Sequence, residues 1–320
     1  MQRRTLITGI AGLGAAAVTP RAWAQAVPAD IRMIVSFNAG GATDLLARRL
    51  QALLEPRGTR MVVENLVGGG SMVAMSRLAQ SPPDGRTLGL ASHGLIAQIV
   101  ANEIPLRFEQ FVPLVRVATD PSILVTGAQS SYRTLADVIA AMRTPEGPSV
   151  GAAGPIGTVG HLRLTGIAQE MGGAINYVGY PGAARLTNEL MGRHLDLGLV
   201  KPNDIFGQIR SGELRVLAVL EDQRLPQLPD VPAITEVGLN PHPFGRITTM
   251  TYAVAPAGIA PPLRDALIAL LREAVLSPTY QAKAEEDCYT ADALAGAELQ
   301  AAVQQTGDAI RNAQQRVLRG

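Results

Sequence analysis

The chain has 320 residues and a mass of 33.6 kDa, with 47% hydrophobic residues, 17% charged residues and a formal net charge of +1. This length allows two α/β lobes of ordinary size, and the composition excludes a coiled coil, a collagen-like chain and a disulfide scaffold. No block of Lys and Arg is present, so we expect no nucleic-acid partner.

The first 24 residues have the pattern of an export signal. Arg3 and Arg4 precede an apolar run at residues 6–18, and a small-x-small sequence at 22–24 predicts cleavage before Gln25. The apolar run is shorter than the roughly 20 residues that cross a bilayer, which argues against a membrane anchor. The paired arginines partly resemble a twin-arginine signal, so both export routes stay open. We therefore expect a periplasmic protein.

After this signal, short apolar runs alternate with helical patterns. The predicted strands, in chain order, cover residues 31–35, 60–64, 88–91, 149–151, 175–178, 195–200, 214–220 and 249–255. A longer extended stretch at 115–125 is interrupted at Pro121. The predicted helices are a stripe from Leu46 to Leu54, a stretch ending at Gln80, and residues 135–142, 159–171, 183–191, 261–276 and 297–316.

This alternation of strands and helices predicts mainly parallel sheets with helices on both faces. The chain completes one α/β unit, builds a second, and returns to the first. We predict one lobe from residues 25–120 and 246–320, and a second lobe from residues 121–245. Cys288 is the only cysteine, so no internal disulfide joins the lobes, and burial alone must hold them. We expect a monomer.

Two glycine-containing loops between a strand and a helix are candidate anion sites. The first backbone N–H groups of a helix lack intrahelical partners, so an anion can take their place. The second loop, residues 151–161, has four glycines, and Thr158 is placed to donate a hydroxyl hydrogen. The first loop consists of Phe37, Asn38, Ala39, Gly40 and Gly41, with Thr43 or Asp44 as a candidate helix cap. A tight turn without a ligand is the alternative reading of the first loop.

Other kinds of site lack their sequence signatures. The chain contains neither a P-loop nor a G-x-G-x-x-G fingerprint, so we expect no nucleotide cofactor. The four histidines do not stand at metal-binding spacing, so we expect no metal site. No G-x-S-x-G elbow is present, and Ser92 and His93 are adjacent in a predicted extended segment, which points their side chains to opposite faces.

Several segments, taken in order, resemble the periplasmic solute receptors of tripartite tricarboxylate transporters, also called Bug receptors. The resemblance runs over residues 31–289 and includes a P-D-G-x-T-L segment at 83–88. Its other blocks are residues 34–44, 62–71, 154–162, 192–196, 211–219 and 228–238. Asn38 departs from the pattern, because the family usually has proline or a small residue there.

The resemblance implies a two-lobed periplasmic-binding-protein fold (Venus flytrap, type II) with a ligand cleft between the lobes. It implies a receptor without catalytic residues that passes a small carboxylate to membrane components of the transporter. The ligand class stays open between a di- or tricarboxylate, an aromatic acid and an amino acid. The implied ligand-binding residues are the first loop with Asp44 behind it, Gly157, Thr158, Tyr180 and Gly182, and Asp196 for an amine or hydroxyl; the predicted set also includes Ser71, Ser92 and His93.

Two other functions stay open at this point. An exported hydrolase would use Ser92 or Ser71 with one of the histidines. A ligand sensor would share the receptor fold but dock on a membrane signalling protein instead of a transporter.

Overall fold

The computed structural model describes residues 27–318. The predicted signal peptide and its cleavage site before Gln25 lie outside these residues. Two five-stranded sheets with helices packed on them form a two-lobed α/β fold, as predicted. None of the helices in the described part of the chain is both long and apolar enough to cross a membrane.

The strands of residues 27–318 lie close to their predicted positions. In chain order they are β1 (Asp30–Val35), β2 (Arg60–Asn65), β3 (Thr87–Ser92), β4 (Phe111–Thr119), β5 (Ile123–Gly127), β6 (Ser149–Ala153), β7 (Asn176–Tyr180), β8 (Leu197–Val200), β9 (Leu214–Val219) and β10 (Met250–Pro256). The extended stretch broken at Pro121 is thus two strands, because the chain passes from one sheet to the other there.

The α-helices include three that the sequence analysis did not predict. In chain order they are α1 (Ala42–Leu54), α2 (Met72–Ala79), α3 (His93–Ala101), α4 (Leu135–Met142), α5 (Val159–Glu170), α6 (Ala183–Met191), α7 (Phe206–Arg210), α8 (Pro261–Val275), α9 (Pro278–Glu286) and α10 (Gly296–Leu318). The unpredicted helices are α3, α7 and α9, which are short and show no clear apolar stripe in the sequence.

The first sheet has the strand order β2-β1-β3-β10-β4, and the second has the order β7-β6-β8-β5-β9. The pairs β1–β2, β1–β3, β6–β7 and β6–β8 are parallel, whereas β10 and β5 pair antiparallel with both of their neighbours. The prediction of mainly parallel sheets is therefore wrong for these two strands. The chain enters β5 from the first sheet and enters β10 from the second sheet. Each of these strands therefore begins at the end of its sheet where the neighbouring strands end.

The chain passes between the sheets in two neighbouring segments, residues 120–122 and 220–249. The Asp120 amide donates a hydrogen bond to the Thr249 carbonyl at 2.8 Å, and the Leu220 amide donates to the Ser122 carbonyl at 2.9 Å. These bonds make the crossing a narrow connection. The lobe boundaries at 120/121 and 245/246 stay predictions.

Helix α10 packs on both sides of this connection. Its residues Ile310 and Ala313 share a buried apolar cluster with Ile96 of α3 and Leu162 of α5. The Asn312 side chain donates a 3.0 Å hydrogen bond to the Phe244 carbonyl. The last helix therefore joins the two lobes by burial, as a chain without disulfides requires.

Candidate functional site

Two adjoining cavities lie between the lobes, and we call them together the cleft. The outer cavity, of about 330 Å³, is bounded by ends of both sheets, including Phe37, Ser92, His93, Gly157 and Thr158. The inner cavity, of about 140 Å³, reaches Arg163, Lys201 and Asp204. The two cavities have four lining residues in common: His93, Ala153, Val159 and Gly160. The cleft is therefore continuous and is bounded by both lobes.

The N-termini of two helices, one from each lobe, open into the outer cavity. Helix α3 begins at His93, directly after β3, and helix α5 begins at Val159, after the glycine-rich loop. The first residues of both helices line the cavity. Since the first amides of a helix have no intrahelical partners, the two helices present N–H donors and partial positive charge to one space. This arrangement can hold an anion.

The first loop is fixed from behind by Asp44. The Asp44 carboxylate is fully buried and accepts hydrogen bonds from the Gly40 amide at 2.8 Å, Arg48 Nε at 2.8 Å and Asn65 Nδ2 at 3.0 Å. Burial by itself raises the pKa of Asp44, but the hydrogen bonds from Arg48, Gly40 and Asn65 outweigh it and lower that pKa below its usual value. Asp44 therefore positions the loop and stays ionised.

These internal bonds change the predicted role of the first loop. The Gly40 amide is used by Asp44, and the Gly41 amide donates to the Asn38 carbonyl at 3.1 Å. Of the loop residues 37–41, Phe37 lines the outer cavity. The expectation that Thr43 or Asp44 caps α1 is wrong, since no side chain caps that helix at Gly41. Asp44 is likewise shielded from the cleft by its own burial.

The second loop also satisfies part of its own hydrogen bonding. The Thr158 hydroxyl donates to the Pro155 carbonyl at 2.7 Å, and the Gly157 amide donates to His161 Nδ1 at 3.2 Å. Gly157 has a φ of +93°, a conformation that glycine adopts without steric cost. The amides of Val159 and Gly160, at the start of α5, are the donors that this loop directs towards the cleft.

His93 lies where the two cavities meet, and Ser92, directly before it, lines the outer cavity. The Ser92 hydroxyl oxygen accepts a hydrogen bond from the Gly94 amide at 3.2 Å and so caps α3. Burial and the neighbouring Lys201 ammonium lower the pKa of His93 to about 4. The His93 imidazole is therefore neutral at pH 7. One ring nitrogen bonds the Met250 backbone, so the other is the hydrogen-bond acceptor that remains for the cleft.

The inner cavity contains charged groups that the sequence analysis missed. Lys201, directly after β8, donates from Nζ to Asp120 Oδ2 at 2.6 Å. Arg163 of α5 is only 4% exposed, and it donates to both carboxylate oxygens of Glu221, at 3.1 and 3.3 Å, and to the Ser122 hydroxyl at 2.9 Å. Both acids lie in the segments that cross between the sheets. The chain has two lysines, and this rarity was the feature of the sequence that could have drawn attention to Lys201.

Four other predicted residues lie outside the two cavity walls. Ser71 is buried before α2, next to Gly70 of the outer cavity. Tyr180 is the last residue of β7, and Gly182 directly precedes α6. Asp196 precedes β8, at the end of the sheet away from the cleft, where its carboxylate accepts hydrogen bonds from the Ser149 amide at 2.9 Å and hydroxyl at 2.7 Å. The prediction that Asp196 reads an amine or hydroxyl of the ligand does not fit this position.

A larger groove, which we call the hinge groove, lies between the crossing segments and the end of α9 with the residues that follow it. Its volume is about 1000 Å³, and its walls include Gln227, Glu285 and Cys288. Gln227 donates to the Glu285 carbonyl at 3.0 Å, and the Cys288 thiol lies 3.4 Å from Gln227 Oε1. The hinge groove thus adjoins the crossing segments, and the Gln227 side chain links its two walls. Within residues 27–318, no group of three or more His, Cys, Asp and Glu residues is arranged to hold a metal ion.

Comparison with known proteins identifies the family. Residues 46–313 match the tripartite tricarboxylate transporter family receptor, TctC. The chain belongs to this family. Protein BugT of Bordetella pertussis is 30% identical over 283 residues, which cover 87% of this chain and 86% of BugT. The predicted resemblance is therefore confirmed.

Solved structures of TctC-type receptors share the fold. A TctC solute binding protein from Polaromonas matches with a TM-score of 0.76 at 21% identity, over 90% of this chain and 98% of that one. An R. palustris protein solved with adipate matches with a TM-score of 0.75 at 24% identity, over 89% of this chain and 97% of that one. These matches confirm the two-lobed receptor fold.

Membership of TctC also bears on the hydrolase alternative. The family consists of solute receptors, and the Ser92 hydroxyl serves here as the cap of α3. Both observations favour a receptor over a hydrolase that would use Ser92 or Ser71.

Proposed function

We propose that this TctC protein is a periplasmic receptor that binds a small carboxylate in the cleft and delivers it to the membrane components of a tripartite tricarboxylate transporter. The observation that carries the proposal is the convergence of the α3 and α5 N-termini on one cavity. The adipate bound by the R. palustris neighbour supports the ligand class. The predicted export signal and the family support the location.

The energetics require contacts from both lobes. Attraction to a helix N-terminus contributes about 0.3–1 kcal/mol when exposed and about 2 kcal/mol when partly buried. Micromolar binding needs about 8 kcal/mol. Several charge-assisted hydrogen bonds of about 1.5–3 kcal/mol each supply the difference. We therefore propose that the ligand favours a closed form in which both lobes, divided at 120/121 and 245/246, contact it.

The proposed ligand contacts are the amides at the start of α3 and α5, with the side chains around them. Ser92, His93, Gly157 and Thr158 stay in the proposed set because they line the outer cavity. From the first loop, Phe37 contacts the ligand, while Asn38, Ala39, Gly40 and Gly41 shape the loop. Ser71, Tyr180 and Gly182 adjoin the cleft walls, and their contact with ligand depends on closure.

Calorimetry of the purified protein against mono- and dicarboxylates tests the proposal. We expect micromolar binding, and we expect Ala153→Trp to abolish it, because this exposed residue lines both cavities and an indole there fills the cleft. Ala301→Trp, at an exposed position of α10, is the control and leaves binding unchanged. Absence of binding across the whole panel would overturn the receptor proposal.

Two further measurements address the rest of the proposal. Native mass spectrometry of protein purified from the periplasm without refolding identifies a co-purified ligand. Crosslinking in the producing cell identifies the membrane partner: capture of a signalling protein in place of transporter subunits would replace transport with sensing. Ester or amide hydrolysis that disappears in Ser92→Ala would instead support the hydrolase.

A further inference from the structure

The inner cavity contains one cation whose hydrogen-bonding capacity is largely unused. Lys201 lines this cavity, and its side chain is 31% exposed. An ammonium group has three N–H donors, and among the described residues the hydrogen bond from Lys201 Nζ goes to Asp120. Two donors therefore remain, on a group whose position Asp120 fixes.

The other positively charged group of this cavity is already occupied. Arg163 directs Nε to the Pro241 carbonyl at 3.4 Å and its two terminal nitrogens to Ser122 and Glu221. Four hydrogen bonds from a group with five N–H donors leave little for a ligand. His93, the third basic side chain, is neutral at pH 7. Lys201 is therefore the cation that a ligand can engage.

One acid in the cavity could favour the opposite ligand chemistry. Asp204 lies on the same wall as Lys201, and it forms no side-chain hydrogen bond or ion pair within residues 27–318. Although this residue is exposed at the cavity surface, desolvation of its carboxyl raises the pKa of Asp204, against the opposing effect of Lys201. An ionised Asp204 would bind an ammonium group, so a test must compare the two residues.

We propose that Lys201 is the residue that selects ligands with a second anionic group, held at the inner end of the cleft while the first carboxylate occupies the α3 and α5 N-termini. This inference rests on the proposed function, because it assumes that the first carboxylate binds in the outer cavity. A charge-assisted bond to an ammonium is stronger than one between neutral groups. Ligands with one carboxylate and an apolar end leave Lys201 unengaged.

Calorimetry with ligands matched in length tests this selection. The probes are butyrate against succinate and hexanoate against adipate, each with wild type, Lys201→Gln and Lys283→Gln. We expect wild type to bind one dicarboxylate about tenfold or more tighter than its matched monocarboxylate. Lys201→Gln should remove this preference while it changes monocarboxylate affinity less than about twofold. Lys283 is the other lysine of the chain, on α9 outside the cleft, so Lys283→Gln should behave like wild type.

Each outcome decides for or against the role of Lys201. Unchanged dicarboxylate preference in Lys201→Gln overturns it, as does equal loss of affinity for both members of a pair. Lys201→Arg, which keeps the charge, should retain part of the preference. Tighter binding of the matched amino acids, lost in Asp204→Asn but kept in Lys201→Gln, would assign the inner cavity to Asp204. If wild type binds mono- and dicarboxylates of a matched pair equally well, the role of Lys201 is wrong and the proposed function stands. If wild type binds none of the ligands, the proposed function is wrong.

Discussion

The fully buried carboxylate of Asp44 accepts a 2.8 Å hydrogen bond from the Gly40 amide, so an acid behind the first loop fixes the backbone that follows Phe37, the loop residue that lines the cleft. The same carboxylate binds Arg48 and, through Asn65, the neighbouring strand β2. A surface loop with this support keeps its shape when no ligand is present.

Replacement of Asp44 by alanine should therefore affect both stability and binding. Removal of the carboxylate leaves the Gly40 amide without its acceptor and leaves Asn65 Nδ2 with the Phe37 carbonyl alone. We expect the free energy of unfolding to fall by about 1–3 kcal/mol. Ligand affinity should fall by roughly tenfold, because the loop loses its fixed shape. Urea unfolding and calorimetry measure the two effects.

Asp137 provides the matched control for Asp44. Its carboxylate also accepts hydrogen bonds from backbone amides, those of Arg133 and Thr134, but it lies on the surface in the first turn of α4. Asp137→Ala should destabilise the protein by loss of the α4 cap and leave ligand affinity unchanged. Equal ligand affinities for wild type and Asp44→Ala would show that the shape of the first loop does not affect ligand binding.

The pH dependence of stability should contain a contribution from His93. The pKa of His93 is lowered to about 4 in the folded protein, whereas an unfolded histidine titrates near 6.5. The unfolded state therefore binds more protons between these values, so this contribution to stability is complete above pH 6.5 and is lost as the pH falls towards 4. Between pH 7 and pH 5 the loss amounts to about 2 kcal/mol.

His93→Gln should remove this part of the acid destabilisation. The measurement is the urea midpoint of wild type and variant at pH 7 and pH 5, and the difference between the two pH values should shrink in the variant. His194→Gln, at a side chain that is 74% exposed, serves as the control. A fall with pH that is as steep in His93→Gln as in wild type would contradict the burial of a neutral imidazole.

Two Arg–Glu pairs with similar geometry should differ in their effect on stability. Arg163→Ala removes a buried guanidinium from the Ser122 hydroxyl and from Glu221, whose carboxylate is 25% exposed and keeps a hydrogen bond from the Ser122 amide. We expect a loss of about 1–3 kcal/mol in the free energy of unfolding. Arg224 pairs with Glu236 at the surface, and Arg224→Ala should have a much smaller effect, because water solvates the released acid. Urea unfolding of both variants checks the contrast; similar losses would contradict it.

The hinge groove should widen when the cleft closes. Cys288 lies in this groove with 4% exposure, and burial raises the pKa of its thiol to about 11, so maleimide labelling of the ligand-free protein should be slow. Rotation of the lobes about residues 120–122 and 220–249 to close on a ligand moves Gln227 away from Cys288. We expect a saturating ligand to raise the labelling rate by roughly threefold or more.

Gln227→Ala gives the complementary measurement. Loss of its hydrogen bond to Glu285 should raise the labelling rate of Cys288 without any ligand. Mass spectrometry of native protein at neutral pH follows both reactions. Slower labelling of Cys288 after ligand addition would contradict this prediction, because it would mean that the hinge groove narrows when the ligand binds.

The fold was more predictable from the sequence than the site. Helix α4 was predicted with its observed bounds, because an apolar stripe and a Thr134 cap define it locally. Helix α3 was missed, since its nine residues are apolar on most faces and follow a strand without a glycine break. The donors at the start of α3 were therefore not predicted, whereas the glycine-rich loop before α5 was predicted as a candidate anion site.

The charged residues of the inner cavity were unpredictable for a different reason. Lys201 and Asp120 are 81 positions apart, and their contact depends on how the second lobe folds back on the crossing segment. Asp196 shows the converse, because its position in a family motif suggested ligand contact while the sheet places it at the far end of β8. The local sequence pattern predicts helices and strands. Contacts between side chains that are distant in the sequence can be predicted only when the order and direction of the strands are known.

The apolar cluster shared by α3, α5 and α10 buries Leu162 of the second lobe against Ile96 and Ile310 of the first, so the two lobes share one apolar contact. Loss of order in one lobe exposes apolar surface of the other, which ties their melting together. Heating should therefore give a single calorimetric peak with equal van't Hoff and measured enthalpies, in a chain with two sheets and no covalent crosslink. A molecule of this kind can bend between its two sheets and still resist proteolysis as one unit.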